Sequence, residues 1–153
     1  MSAPTCLSGR RVVVTRQRGQ AESFCWRLTE LGAEPVRFPT IDFAPVRSPE
    51  IDQALVNLRM YDWILFTSPN AVRFFFDLLE ESQAVLTGAR IAATGSQTAA
   101  ALRAAGYGCD FVPSDFSGAA LAATLPNVTG QRILVPRTEQ GRPELSEGLV
   151  GRG

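Results

Sequence analysis

Residues 61–76 of this 153-residue chain, YDWILFTSPNAVRFFF, restrict the possible folds more than any other segment. A wholly apolar run at 63–66 stops at the polar turn TSPN, and apolar residues with helical spacing follow. This pattern is typical of a buried parallel strand that leads into a capped helix. In open α/β sheets, ligands bind at the loops that follow such strands, and a helix N-terminus there offers unpaired N–H groups to an anion.

The same succession of strand, polar turn and helix recurs along the chain. Strands are predicted at 11–15, 63–66, 90–93, 109–112 and 132–135, and helices at 20–31, 49–59, 68–79, 96–105, 117–125 and 143–150. The segment 35–43 is predicted to be an extended connector, because Pro39 interrupts its apolar alternation. Alternating strands and helices predict the α/β class, with a doubly wound parallel sheet.

Composition narrows the class of ligand. Fifteen basic residues, all of them arginine, balance fifteen acidic residues, so the formal net charge is zero. The chain therefore lacks the basic excess that supports general binding to nucleic acids or to anionic membranes. Local groups of arginine remain suited to an anionic small molecule, because the guanidinium fork binds carboxylates through two hydrogen bonds. The absence of histidine removes the commonest metal ligand and general base.

The cysteines and the N-terminus indicate a compartment. Cys6, Cys25 and Cys109 are odd in number and show no CxxC spacing. We expect reduced thiols, with Cys25 and Cys109 in apolar surroundings. No apolar stretch approaches the length of a membrane span, and the N-terminal residues lack the apolar core of a signal peptide. These features predict a cytoplasmic protein.

Four blocks in a fixed order carry a family resemblance. They are VVVTRQRGQAESFCWRLTELGAEPVRFPTIDF at 12–43, DWILFTSPNAVRFFF at 62–76, RIAATGSQTAAALRAAGYGCDFVPSDFSGAALAATL at 90–125 and RILVPRTEQGRPELSEGLVGRG at 132–153. Each block alone is an ordinary turn between a strand and a helix. Together, in this order and spacing, they resemble the uroporphyrinogen-III synthase family over nearly the whole chain.

The resemblance implies a bilobal architecture. In that family two flavodoxin-like lobes are joined by two extended linkers, and the active site lies in the cleft between the lobes. By this pattern residues 1–38 open the first lobe, 39–44 form an inter-lobe linker, and 45–153 form a nearly complete second lobe. The remainder of the first lobe is then absent from this chain.

The resemblance also implies an activity. Members of the family are lyases that need no metal or organic cofactor. They cyclise hydroxymethylbilane, a linear tetrapyrrole with eight carboxylates, to uroporphyrinogen III, with loss of water and inversion of ring D through a spiro intermediate. Because the hydroxyl leaves readily from an electron-rich pyrrole, the protein mainly holds the substrate in the conformation that cyclises correctly. The expected protein is a monomer that makes transient contact with hydroxymethylbilane synthase.

Candidate site residues lie where strands end. By the resemblance, the GSQTA segment makes Thr98 the candidate catalytic residue. The candidate carboxylate-binding residues are Arg16, Gln20, Thr67, Ser68, Asn70, Gly95, Ser96, Ser117, Gly118 and Arg137. A simpler interpretation exists for each, as a solvated surface residue or as part of a helix cap, with Ser68 and Ser96 as natural N-caps.

A second function class stays open at this stage. A non-catalytic flavodoxin-like module that binds an anionic metabolite would use the same turns. Within that class, TRQRG at 15–19 lacks the acidic cluster of a phosphorelay receiver. It also lacks the hydroxyl-rich phosphate loop of a flavin-binding protein. The sequence therefore argues against both of these modules. A periplasmic or sugar-sensor half-domain stays open within the class, although no export signal supports it.

Overall fold

A computed structural model describes residues 6–138, 141 and 143–153. The strands are β1 (Arg11–Val14), β2 (Glu34–Arg37), β3 (Trp63–Phe66), β4 (Arg90–Ala93) and β5 (Ile133–Leu134). The helices are α1 (Arg18–Glu30), α2 (Pro49–Val56), α3 (Pro69–Ser82), α4 (Ser96–Ala104), α5 (Gly118–Thr124) and α6 (Glu144–Val150). The chain forms two compact units, Met1–Val46 and Arg47–Gly153. Within the described ranges, no helix combines the length and the apolar character needed to cross a bilayer.

The first unit is one strand–helix–strand element. β1 and β2 pair in parallel, and α1 packs its buried Ala21, Cys25 and Leu28 in one cluster with Val14. The predicted connector at 35–43 is wrong in its first residues, because β2 occupies Glu34–Arg37.

Pro35 is tolerated in β2 because its nitrogen faces away from the partner strand β1. The N–H groups of Glu34 and Phe38 donate to β1 at 2.8 and 2.9 Å, toward the carbonyl oxygens of Arg10 and Val14. Backbone groups alternate in direction along a strand, so the nitrogen of Pro35 points away from β1. Its missing N–H therefore removes no bond of the ladder.

The second unit confirms the doubly wound parallel sheet. Its strand order is β4-β3-β5, and all pairs are parallel. All four residues of β3 are buried, and they alternate between two cores. Ile64 and Phe66 join side chains of α2, α3 and α4 on one face. Trp63 and Leu65 join side chains of α5 and α6 on the other face.

The strand predicted at 109–112 is reduced to one parallel bridge, between Phe111 and Ala92. Its ladder is short because a side chain takes part in it. The Ile91 N–H donates to the Asp110 carboxylate at 2.7 Å, and the Asp110 N–H donates to the Ile91 carbonyl oxygen at 2.7 Å. Pro113 then follows and has no N–H to offer.

Helices α5 and α6 pack closely because Gly148 has no side chain. A Cβ built at Gly148 would lie 2.8 Å from the Cβ of Ala122 on α5. Two carbon atoms cannot approach so closely without displacement of one helix. The glycine therefore sets the separation of the helices that cover one face of β3.

We expect Gly148→Ala to lower the free energy of unfolding. Overpacking costs about 1–3 kcal/mol, whereas the better helix propensity of alanine returns about 1 kcal/mol. Urea unfolding followed by circular dichroism measures the difference.

A double variant provides the control for this contact. Ala122→Gly removes the atom that Gly148→Ala would strike, so the double variant should be more stable than the sum of the single effects by about 1–3 kcal/mol. Gly19→Ala is the matched change in open space on α1, where nothing lies within 4 Å. A stabilising Gly148→Ala, with no coupling to Ala122, would contradict this account.

Candidate functional site

The carboxyl edge of the second unit's sheet collects most of the predicted site residues. Since β3, β4 and β5 are parallel, the segments that follow them leave the sheet at the same edge. The candidates at this edge are Thr67, Ser68 and Asn70 after β3, Gly95, Ser96 and Thr98 after β4, Ser117 and Gly118 after the Phe111 bridge, and Arg137 after β5. Arg16 and Gln20 belong to the first unit.

Thr94 joins the turns that follow β3 and β4. Its N–H donates to the carbonyl oxygen of Phe66 at 3.0 Å, and its hydroxyl donates to the carbonyl oxygen of Thr67 at 3.1 Å. The side chain is buried. Thr94 was not among the predicted site residues, although a hydroxyl directly after the apolar run of β4 was the available signal. Thr94 holds the two candidate turns side by side.

The start of α3 is capped as predicted. The hydroxyl oxygen of Ser68 accepts the N–H of Ala71 at 3.1 Å, and Pro69 occupies the first helical position. Proline has no N–H, so the Asn70 N–H remains as an unpaired donor of the first turn. The Ser68 hydroxyl keeps its own proton, which is available to a ligand. Capping and ligand binding are therefore compatible at this turn.

The start of α4 is not capped by a side chain. Ser96 was expected as the N-cap, but it is the first helical residue, and Gly95 is the N-cap. Glycine has no side chain to accept from the first turn. No described residue accepts a hydrogen bond from the N–H groups of Ser96, Gln97 and Thr98. These three donors and the positive end of the helix dipole suit an anion.

Thr98 lies below the surface. It is 3% exposed and stands beside Ala99 and Leu102, which belong to the core. Its hydroxyl makes no hydrogen bond to any described residue. Its hydroxyl and its backbone N–H therefore both lack a hydrogen-bond partner among the described residues. The catalytic role of Thr98 stays a prediction.

A third turn places an aromatic ring beside the α4 start. Ser117 caps α5, and its hydroxyl oxygen accepts the Ala120 N–H at 3.1 Å. The preceding residue, Phe116, is 62% exposed. A Cβ built at Gly95 would lie 3.1 Å from the Cβ and the Cγ of Phe116, so the ring rests directly on this glycine. No local sequence pattern signals this contact, because it joins residues that are distant in the chain.

The remaining candidates have simple surroundings. Gly118 is the first residue of α5, where a Cβ would lie 3.5 Å from the Cβ of Leu145. Arg137 is exposed and passes beside Gly141. In the first unit, Arg16 lines a groove of about 550 Å³, and Gln20 is exposed on α1 outside that lining.

The described residues give little support to metal binding or to nucleophilic chemistry by Cys25 or Cys109. Within the described ranges, no three His, Cys, Asp or Glu side chains converge as metal ligands. Cys25 is buried and Cys109 is half-buried, in agreement with their expected apolar surroundings. Partial burial raises the pKa of the Cys109 thiol, which donates to the Phe111 carbonyl oxygen at 3.3 Å. This thiol is therefore held in its neutral form and is a poor nucleophile.

Comparison with known protein families identifies the family of this chain. The family model described as "Uroporphyrinogen-III synthase HemD" matches residues 23–153. The chain belongs to the uroporphyrinogen-III synthase family. The expectation drawn from the four sequence blocks is thereby confirmed.

Relatives agree with this assignment. Uroporphyrinogen-III synthase of Synechococcus elongatus is 32% identical over 152 residues, which are 96% of this chain and 58% of that protein. The porphyrin biosynthesis protein HemD of Ruminiclostridium josui is 37% identical over 129 residues, which are 82% of this chain and 26% of that protein.

Solved structures extend the agreement to the fold. A crystal structure of a mutant uroporphyrinogen III synthase from Thermus thermophilus superposes with a TM-score of 0.70 at 26% identity. The wild-type enzyme of the same organism gives a TM-score of 0.60. Both matches cover 95% of this chain and 58% of the other. The chain thus spans little more than half the length of these family members.

We expect Thr94→Val to destabilise the second unit. The substitution keeps the side-chain shape but leaves the Thr67 carbonyl oxygen without its donor, at a cost of about 1–3 kcal/mol. Urea unfolding gives the change in free energy. Thr124→Val is the control, because the exposed Thr124 hydroxyl bonds only within its own helix, to Ala120. Equal stability of the two variants would show that the Thr94 bond does not hold the turns together.

Proposed function

We propose that this chain serves as a uroporphyrinogen-III synthase, converting hydroxymethylbilane to uroporphyrinogen III with loss of water and inversion of ring D through a spiro intermediate. The observation that carries the proposal is the uncapped start of α4, set among donor turns on one sheet edge, in a chain of this family. The substrate is a polycarboxylate, and this edge supplies hydrogen-bond donors for carboxylates.

Different donors at this edge bind different carboxylates of the substrate. A carboxylate at the start of α4 accepts from the N–H groups of Ser96, Gln97 and Thr98, with Gly95 allowing close approach. Another accepts from the Asn70 N–H and the Ser68 hydroxyl. Hydrogen bonds to a charged group contribute about 1.5–3 kcal/mol each. Because the backbone amide donors have fixed directions, they select one arrangement of the carboxylates, to which the rotatable hydroxyls adapt.

Further candidates extend this surface. Thr67 lies beside Ser68 in the same turn, Ser117 and Gly118 begin α5, and Arg137 follows β5. Arg137 adds a cation to a surface of otherwise neutral donors. Phe116 adds an exposed apolar face next to the α4 start, suited to the flat face of a pyrrole. Carboxylate donors around an apolar face match a pyrrole that carries acidic side chains.

Such a surface needs no strong acid or base to promote this reaction. A hydroxyl on an electron-rich pyrrole leaves readily, so rate and product depend on which ring carbon is held near the reacting end. In this proposal Thr98 steadies the leaving hydroxyl or a nearby carboxylate. The side chain is only 3% exposed, so a hydrogen bond formed there is largely shielded from bulk water and is stronger for it.

The proposal includes the domain assignment and the surroundings of the enzyme. Residues 1–38 serve as the opening of the first lobe, 39–44 as linker and 45–153 as the second lobe. The protein acts as a cytoplasmic monomer, without metal or organic cofactor, and receives its substrate in transient contact with hydroxymethylbilane synthase. Family membership supports this reading over a non-catalytic module that binds an anionic metabolite.

Product analysis tests the function. Hydroxymethylbilane is generated in place by its synthase and incubated with this chain, and the uroporphyrin isomers are separated after oxidation. We expect type III isomer above the spontaneous type I background, with Synechococcus uroporphyrinogen-III synthase as the positive control. Type I alone in the sample, with type III in the control, would contradict the proposed activity.

Thr98→Val should lower type III formation roughly 10- to 100-fold, as expected for loss of one hydrogen-bond donor to the reacting groups. The free energy of unfolding should change little, because the Thr98 hydroxyl has no partner among the described residues. Thr124→Val on α5 is the matched control for activity. Turnover at the wild-type rate in Thr98→Val would remove Thr98 from the mechanism.

A further inference from the structure

The first unit contains a groove whose lining is rich in arginine. Its volume is about 550 Å³, within the range of about 300–1,000 Å³ that is usual for small-molecule sites. The lining residues are Arg16, Arg18, Gly19, Ala21, Glu22, Arg37 and Pro39. Three arginines and one glutamate therefore line this groove.

The fold brings these arginines together from separate segments. Arg16 lies in the loop after β1, Arg18 is the first residue of α1, and Arg37 is the last residue of β2. Since β1 and β2 are parallel, with Val14 opposite Arg37, both strands end at the groove. α1 also begins there, and its first turn contains no acidic residue and no side-chain cap. The positive end of its dipole adds to the charge of the guanidinium groups.

The groove arginines lack the ion pairs that other arginines of this unit form. Arg11 pairs with Glu34 at 3.8 Å, and Arg27 pairs with Glu30 at 2.8 Å. No described carboxylate lies within 4.0 Å of the guanidinium nitrogens of Arg16, Arg18 or Arg37. Among the described residues, the interaction recorded for Arg16 is with an aromatic ring, with its Cζ 5.9 Å from the centre of the Phe24 ring.

Unpaired like charges in one groove repel each other, and an anion relieves that repulsion. Guanidinium groups are planar forks that match carboxylates, so three of them favour a ligand with several carboxylates over one with a single charge. All three arginines are exposed, and they extend from the ends of β1 and β2 and from the start of α1 toward one groove.

We propose that this groove binds a polycarboxylate, with Arg18 and Arg37 acting beside Arg16 as charged ligands for at least two carboxylates. The identification of that ligand as one carboxylate-bearing end of the tetrapyrrole substrate rests on the proposed function. Binding here is cationic, whereas the edge of the second unit binds mainly through amides and hydroxyls. Glu22 opposes the ligand and limits its affinity.

Equilibrium binding to the whole chain tests the site, with two probes. Uroporphyrin I is a stable tetrapyrrole with eight carboxylates, and tricarballylate is a small tricarboxylate unrelated to pyrroles. Titration calorimetry gives the dissociation constants at several salt concentrations. We expect Arg18→Gln and Arg37→Gln each to raise the dissociation constant of both probes roughly 10-fold, and to reduce its dependence on salt. Arg18→Lys and Arg37→Lys, which keep the charge but not the fork, should fall in between.

Two further variants distinguish the effect of a charge at the groove from the effect of a charge elsewhere in the same unit. Glu22→Gln should tighten binding several-fold, because it removes the carboxylate that repels the ligand. Arg10→Gln is the matched control, since Arg10 is exposed in the same unit but lies outside the groove. Binding that is unchanged in the groove variants, or reduced equally by Arg10→Gln, would overturn the site.

The two probes distinguish this inference from the proposed function. Suppose that uroporphyrin I binds and type III isomer forms, but the groove variants change the dissociation constant of neither probe. The groove is then not the binding site, and the proposed function stands. If tricarballylate binds through the groove arginines while no type III isomer forms, the function fails and the site stands. A wild-type chain that binds neither probe overturns the site.

Discussion

The parallel pairing of β3 with both of its neighbours is the constraint on which the second unit depends. β3 is four residues long and buried throughout, so its alternating side chains must be covered on both faces. Helices α2, α3 and α4 cover one face, and α5 and α6 cover the other. Parallel strands place every following turn at one edge. The core therefore determines where the donor turns gather, before any of those turns contributes to binding.

The turns before α3, α4 and α5 differ in whether a side chain caps the helix that follows. Ser68 and Ser117 satisfy part of the first turn of α3 and α5 from within the chain. Gly95 leaves the first turn of α4 open, and the same lack of a side chain allows Phe116 to rest on it. One glycine thus leaves a set of N–H donors without partners among the described residues and allows an apolar surface beside them. A larger residue at this position would weaken both features at once.

Local signals predicted much of this architecture, and long-range contacts account for what was missed. The apolar run of β3 and the Ser68-Pro69 cap are local, and the structure confirms both. β2 was missed because the alternation of apolar residues around Pro39 is irregular, and the side on which Pro35 lies becomes clear only once the pairing with β1 is known. The ladder at Phe111 is short because the carboxylate of Asp110 replaces a backbone partner. Whether the predicted site residues act on a substrate depends on contacts with a ligand, which no pattern of the chain alone can supply.

The two units offer carboxylates different kinds of partner. In the second unit, neutral donors with fixed directions discriminate between arrangements of the ligand, and their strength depends little on salt. In the first unit, three arginines attract negative charge over a longer range but with less directional selection. A protein with no net charge has no general field to gather a polyanion, so a local excess of arginine must provide that attraction. In the proposed function, selection of the cyclising conformation falls mainly to the backbone amide donors, because the helix starts fix their directions.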